Sequence, residues 1–389
     1  KASLCVGGSY WHTKAIPRLN IPNFMMIDGP SGINKLEIYM DYTCESIENE
    51  SAILFPCASC TCCSFDRDIM FEMGQTIADE MIKEGISLLL APGVNIKRSP
   101  LCGRNFEYFS EDPLLSSTIS CHLIKGIQSK GVGACIKHFA ANNQETARFF
   151  SNSIIDERTL REIYLSSFEL AIKEAKPWAV MSSYNLLNGV YNSVNKFLLT
   201  DILRNEWNWN EGIVISDWGG TYDRVEGMKA GLDLEMPGPD SEDSEAQSFD
   251  DIINSVKNGE LDEKLVDRNC ERVLNVVFKA NELIEKSKSD KSIKFNVKMK
   301  NVDGLLDLHH EIAKKIAENS FVLLKNEDSI LPLPTVSKPS EPFKILFVGE
   351  FAKKPHVQGA GSARVEPYMT SNCLSSSKEI LNQESDDQQ

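Results

Sequence analysis

The run Val214-Ile215-Ser216-Asp217-Trp218-Gly219-Gly220 places one carboxylate directly after a short apolar stretch. A carboxylate at the end of a buried strand can be a nucleophile, a general base or a metal ligand, and it can equally be the cap of a following helix. Other apolar runs end on groups of complementary chemistry. Phe24-Met25-Met26-Ile27 ends at Asp28, Gly133-Ala134-Cys135-Ile136 ends at Lys137-His138, and Trp178-Ala179-Val180-Met181 leads to Tyr184. The polar loop Gly103-Arg104-Asn105-Phe106-Glu107 adds a further cation and carboxylate. Together these supply acceptors, donors and, in Trp218, an aromatic wall, which is what a pocket for a polyhydroxylated ligand requires. Each group also has a structural alternative. Arg104 and Glu107 can form a local ion pair, His138 can be a satisfied core residue, and Tyr184 can simply pack. Lys137 is harder to dismiss, because a lysine buried after an apolar strand needs a carboxylate partner.

These groups need a scaffold that brings strand ends together. From Asn23 to about Glu285, short apolar runs alternate with helical patterns. Ser87-Leu88-Leu89-Leu90 and Leu232-Asp233-Leu234 complete six strand candidates. Ile69, Met70, Met73, Ile77 and Met81 recur at helical spacing, as do Leu160, Ile163, Tyr164, Phe168 and Ala171 behind a cap at Asp156. Val266, Cys270, Val273, Leu274 and Val277 mark a last helix. Repeated alternation implies a parallel α/β sheet, and polar residues gathered at the carboxyl ends favour a (β/α)8-type TIM barrel. An open doubly wound sheet is the competing arrangement, but no GxGxxG follows a strand. Residues 1–285 are therefore read as the barrel and the lysine-rich stretch 286–303 as a linker. Residues 304–389 are read as an incomplete α/β sandwich, opening with a helix near 306–319 and with strands at Phe321–Leu324 and Ile345–Val348.

Composition narrows the partners. The 389 residues carry 41 Lys plus Arg against 56 Asp plus Glu, a formal charge of −15. This argues against a general nucleic-acid binder and against an anionic membrane surface. No apolar run approaches the roughly 18 residues of a membrane span. Eleven cysteines without a regular framework fit a reducing, cytoplasmic compartment better than a disulfide scaffold. The tight group Cys57, Cys60, Cys62 and Cys63 lacks a second pair to complete a zinc site and is read as buried thiols. The chain starts at Lys1-Ala2-Ser3-Leu4, as one cut inside a larger chain would, and shows no signal-peptide pattern.

Several stretches, in order, resemble glycoside hydrolase family 3. They are Met26-Ile27-Asp28-Gly29-Pro30, Ala91-Pro92-Gly93-Val94-Asn95 through Gly103-Arg104-Asn105-Phe106-Glu107, and Lys137-His138-Phe139-Ala140-Ala141-Asn142-Asn143-Gln144-Glu145. Met181-Ser182-Ser183-Tyr184-Asn185, Ser216-Asp217-Trp218-Gly219 and Ala230 to Gly238 continue the series. Ser320 to Asn326 and Gln358 to Ser362 resemble the start of that family's sandwich domain. The resemblance implies an exo-acting β-glucosidase-like hydrolase that retains anomeric configuration, with a β-glucoside or short oligosaccharide as substrate and no cofactor or metal. It implies Asp217 as the nucleophile. It assigns Asp28, Arg104, Lys137 and His138 to the hydroxyls of the cleaved sugar, Tyr184 to a place beside the nucleophile, and Trp218 to the substrate's flank.

The chain departs from the family pattern at two places. Ser31 and Asn34 stand where relatives often have His and Arg. A retaining mechanism also needs a second carboxyl as general acid/base, about 5 Å from the nucleophile. The resemblance places that group in the following domain, downstream of this sequence, so the chain is expected to be a truncated enzyme. Glu107, Glu145 and Glu235 are candidates only in principle. The alternatives are a catalytically silent sugar-binding protein or a gene fragment and, among enzymes, a β-xylosidase or, more remotely, a β-N-acetylhexosaminidase. The oligomeric state is not legible.

Overall fold

The computed structural model describes residues 1–35, 51–239, 249–290, 304–333 and 344–386. Its centre is a curled parallel sheet of five strands in sequential order. These are β1 (Met25–Asp28), β2 (Ile86–Leu90), β3 (Gly133–Phe139), β4 (Ala179–Ser182) and β5 (Ile213–Ser216). Every residue of β2 to β5 is buried, as expected of parallel strands covered on both faces. Alternate residues divide between two cores, as the two-residue period of a strand requires. Ile27, Leu89, Ile136, Val180 and Val214 face the surrounding helices. Met26, Leu88, Leu90, Cys135, Met181 and Ile215 pack inside the ring with Trp11. This is an α/β barrel of the TIM type.

The ring closes through single bridges. Ile215 pairs with Leu234, Glu235 pairs with Val6, and His12 pairs antiparallel with Met25. The segment from Val6 to His12 therefore spans the seam between the last and first strands. The sixth strand expected at Leu232–Leu234 is reduced to a bridge, and its middle residue Asp233 explains why. The Asp233 carboxylate itself accepts the Val214 N–H at 2.8 Å, and it is bound by Arg204 at 2.6 Å and Arg272 at 3.1 Å. A side chain takes a ladder partner that a strand backbone would supply. Among the described residues the barrel thus has five strands and this bridged segment in place of eight regular ones.

The helices begin and end where local chemistry dictates. In α1 (Arg67–Glu84), the Asp66 side chain accepts from the N–H groups of Asp68 and Ile69, and Gly85 closes the helix in the left-handed region. In α2 (Pro113–Gln128), Asp112 accepts from Leu115 N–H and Pro113 occupies the first turn. The expected Asp156 cap is present, accepting from Thr159 N–H. It opens a helical run that passes through a π turn at Leu160–Tyr164 into α3 (Ser166–Ala175). After β5 come α4 (Arg224–Ala230) and α5 (Glu263–Ser289). The latter continues into the stretch read as a linker, whose residues 291–303 lie outside the described residues.

Downstream, α6 (Leu305–Ser320) docks on α1, with His309 Nδ1 3.1 Å from Glu80 Oε1 in a buried contact. The strands expected at Phe321–Leu324 and Ile345–Val348 are absent. Both segments are irregular, with Leu324 92% and Leu346 87% exposed. A strand needs a partner backbone, and none among the described residues pairs with them. Residues 358–368 instead run back across the barrel. Ala52 N–H donates to Glu366 O and Tyr368 N–H donates to Ala52 O, at 2.9 and 2.8 Å. Val365 is fully buried there.

The thiol group is also less uniform than expected. Cys62 is buried, Cys57 and Cys60 are partly so, and Cys63 is exposed. The helix Ala58–Cys62 has only five residues, too short to bury all sides.

Candidate active site

A cavity of about 350 Å³ opens at the carboxyl ends of the strands. Asp28, Arg104, Lys137, Tyr184, Asp217 and Trp218 line it, and His138 lies fully buried behind them. The structure thus brings together all seven residues singled out from the sequence.

Asp217 is not a helix cap. The following helix is capped by Asp223, whose side chain accepts from Glu226 N–H. Asp217 instead sits on a tight turn. Gly220 N–H donates to its carbonyl at 2.7 Å, and Gly219 adopts a φ of 71° that favours glycine. The two carboxylate oxygens of Asp217 have different surroundings. Oδ1 accepts from the Tyr184 hydroxyl and from Trp218 N–H, both at 2.8 Å. Oδ2 has no hydrogen-bond partner, although it is buried. Arg104 Nη1 and His138 Nε2 each stand 3.7 Å from it, and both of these atoms are also buried without a hydrogen-bond partner. Buried polar atoms are almost always paired. Three such atoms without hydrogen bonds meet one another here, in and just behind the cavity wall.

Charge balance is kept by a second carboxylate beneath the cavity. Glu107 is fully buried, is bound directly by Arg104 Nε, and lies 3.9 Å from Lys137 Nζ. Burial pushes its carboxyl up, but Arg104 and Lys137 outweigh this and hold it below the usual range. Lys137 donates to Asp28 Oδ1 at 2.7 Å, the partner its burial demanded. Burial works against its charge, yet Asp28 and Glu107 raise its pKa. Burial, and the Asp217 carboxylate that repels a phenolate and accepts the hydroxyl's hydrogen bond, keep Tyr184 protonated and raise its pKa well above the ordinary value.

His138 is neutral. Burial, then Arg104, Lys137 and Arg148, push its pKa well below 6.5. Its Nδ1 lies 3.2 Å from the Tyr108 hydroxyl, and Asn95 clasps its backbone from both sides. The unfolded chain therefore binds more protons than the folded chain below about pH 6.5. The stability this difference contributes is complete above that pH and declines as pH falls, by up to about 1.4 kcal/mol per pH unit. We expect melting temperature to fall between pH 7 and pH 5 more steeply in the parent chain than in His138→Asn. Equal slopes would show that His138 is not held neutral.

Other lining residues were not assigned a role from the sequence. Tyr10 and Trp11 come from the seam segment, and Trp218 Nε1 donates to Tyr10 O at 3.1 Å. Nothing periodic marks that segment. Arg148 follows Glu145, donates to it at 2.8 Å, and lies 4.5 Å from the Tyr184 ring centre. Ser362 Oγ donates to Glu107 Oε2 at 2.9 Å, tying the downstream segment to the buried carboxylate. Gly359 allows that approach, since a Cβ there would stand 2.7 Å from the Phe106 ring. The three glutamates considered in principle are engaged differently. Glu107 is buried as described, Glu235 is held by Arg224 at 2.6 and 2.9 Å, and only Glu145 lines the cavity. Ser31 and Asn34 are buried in the turn after β1 and do not line the cavity. Phe55 N–H donates to Ser31 O, and Asn34 N–H donates to Asp28 O, both at 2.9 Å.

Residues 44–276 match the profile of the Glycosyl hydrolase family 3 N terminal domain. The chain belongs to glycosyl hydrolase family 3. It is 48% identical over 368 residues to Thermostable beta-glucosidase B of Acetivibrio thermocellus, covering 94% of this chain and 45% of that protein. It is 40% identical over 377 residues to an Exo-alpha-(1->6)-L-arabinopyranosidase of Bifidobacterium longum, covering 96% and 47%. Beta-glucosidase 3B from Thermotoga neapolitana, solved in complex with glucose, superposes with a TM-score of 0.84 at 38% identity. That match covers 97% of this chain and 52% of the solved one, so it extends past the barrel into the downstream segment. The chain spans about half the length of these family 3 relatives.

Proposed function

We propose that this chain carries the sugar-binding and nucleophile groups of a retaining, exo-acting β-glucosidase. The carrying observation is the asymmetric carboxylate of Asp217. One oxygen is anchored by Tyr184 and Trp218 N–H, and the other, in the wall of the cavity, has no hydrogen bond and only the 3.7 Å contacts with Arg104 and His138. In this reading Oδ2 attacks the anomeric carbon, the glycosidic C–O bond breaks, and a covalent glycosyl-enzyme forms that water later hydrolyses. Asp28 and Lys137 bind hydroxyls of the sugar as acceptor and donor, with Arg104 and His138 Nε2 as further donors. Trp218 lies against its apolar face. Contacts that tighten as the oxocarbenium-like transition state forms supply part of the rate.

The general acid/base is assigned to none of the three glutamates near the barrel. Glu107 is kept ionised by two cations, Glu235 is bound by both arms of Arg224, and Glu145 is clasped by Arg148. A good leaving group needs little protonation. The expected result is slow hydrolysis of 2,4-dinitrophenyl β-D-glucoside and far slower hydrolysis of an alkyl β-glucoside. Comparable rates for the two would place an effective acid in this chain. The Bifidobacterium relative, named for an arabinopyranoside, favours testing the matching β-xyloside and α-L-arabinopyranoside alongside. Binding of glucose without turnover of any aryl glycoside would point to a silent sugar-binding protein instead.

A further inference from the structure

Outside the active site, two buried thiols face each other across the barrel seam. Cys5 Sγ lies 3.9 Å from Cys270 Sγ, joining positions 265 residues apart. Cys5 ends the short 3-10 turn Ala2–Cys5, and Cys270 lies on α5. Leu4, Val6, Val225, Met228, Ile252, Leu261 and Val266 enclose the pair in a core of their own. Cys5 is also held in place by backbone pairing: Glu235 N–H donates to its carbonyl at 2.9 Å, and Gly7 N–H donates to Glu235 O at 2.9 Å. Above the pair lies an exposed ionic cover, with Lys1 bound to Glu263 at 2.8 Å and Asp267 at 2.6 Å. Cys270 Sγ lies 3.3 Å from Lys1 O, which places the pair beneath the turn Ala2–Cys5.

We propose that Cys5 and Cys270 form a latent disulfide site that small hydroperoxides close, stapling the barrel seam. A disulfide needs the sulfurs to approach to about 2.05 Å, a shift of roughly 2 Å. The closure requires this shift from rotation of the Cys5 and Cys270 side chains, with the Cys5 backbone kept in its pairing to Glu235. The contact with Cys5 lowers the pKa of Cys270, which favours it as the attacking thiolate. Cys270 sulfur attacks one peroxide oxygen. An S–O bond forms, the O–O bond breaks, and the departing oxygen takes up the proton the thiol released, leaving as water or an alcohol. Cys5 sulfur then attacks the sulfenic sulfur. The S–S bond forms, the S–O bond breaks, and the hydroxyl leaves as water with the Cys5 proton. Two thiols are oxidised by two electrons, and one hydroperoxide is reduced.

The test treats the folded chain with a small excess of hydrogen peroxide, in a background where exposed Cys63 and Cys373 are serine, and maps peptides without reductant. The expected result is a Cys5–Cys270 cross-linked peptide, reversed by dithiothreitol. An oxidant-dependent rise of several degrees in melting temperature should accompany it, because closing so long a loop restricts the unfolded chain. Cys270→Ser should abolish both effects. Cys5→Ala provides a second variant should the first fold poorly, and the peptide map needs neither. Reduced Cys5 and Cys270, or separate over-oxidation of either, in a sample that still melts cooperatively would overturn the proposal.

Discussion

Asp217→Ala is expected to lower kcat/KM for 2,4-dinitrophenyl β-D-glucoside by about 10⁴-fold or more, the scale seen when a nucleophile acting as a unit with its neighbours is removed. Folding should be little affected. Removing the carboxylate leaves the Tyr184 hydroxyl its nearby acceptor, Trp218 O at 3.0 Å, while Arg104 keeps Glu107 as its partner. Glucose should still bind, since Asp28, Lys137 and His138 remain. The combination of lost turnover, retained binding and a near-parent melting temperature separates a nucleophile from a structural carboxylate. Steady-state kinetics with calorimetry would read all three. A loss of less than tenfold would remove Asp217 from the chemistry.

Glu107→Ala is expected to be the most destabilising change near the site. It would leave Arg104 and Lys137 as buried cations with less compensation and would strand the Ser362 hydroxyl. Breaking a buried pair by removing one partner costs about 3–5 kcal/mol. The cost should show as a marked fall in the denaturant midpoint. Glu107→Gln preserves shape and an acceptor oxygen, so part of the loss should be recovered. Because Glu107 Oε1 aims Arg104 towards Asp217, turnover should fall even in variants that remain folded. A Glu107→Ala chain as stable as the parent would show that Arg104 and Lys137 find other partners.

Much of this arrangement is legible in the sequence because parallel strands in a covered barrel are nearly pure apolar runs. Where such a run stops at a polar residue, the chain has reached the mouth of the barrel. Asp28, Lys137, His138 and Asp217 were found this way, and the carboxylate partner that Lys137 required proved to be Asp28. For Tyr184 the sequence leaves packing and a bond to Asp217 both open, and the structure has the bond.

The remainder is not local. Ser362 meets Glu107 across 255 residues, and no pattern in either segment encodes that meeting. Tyr10 and Trp11 belong to an aperiodic segment whose place is set by bridging Glu235 and Met25. Leu232-Asp233-Leu234 reads as a strand, yet the Asp233 side chain captures Val214 N–H and replaces regular pairing. Phe321–Leu324 and Ile345–Val348 have strand composition without a strand partner, which composition alone does not reveal.

The central claim is that Asp217 Oδ2 attacks an anomeric carbon. It is tested most directly by incubating the folded chain with 2,4-dinitrophenyl 2-deoxy-2-fluoro-β-D-glucoside and mapping peptides by mass spectrometry. The slow deglycosylation of fluoro-sugars should trap one 2-fluoroglucosyl adduct on the peptide that contains Asp217, absent in Asp217→Ala. No adduct in a cooperatively melting sample, or an adduct on a different carboxylate, would contradict the account.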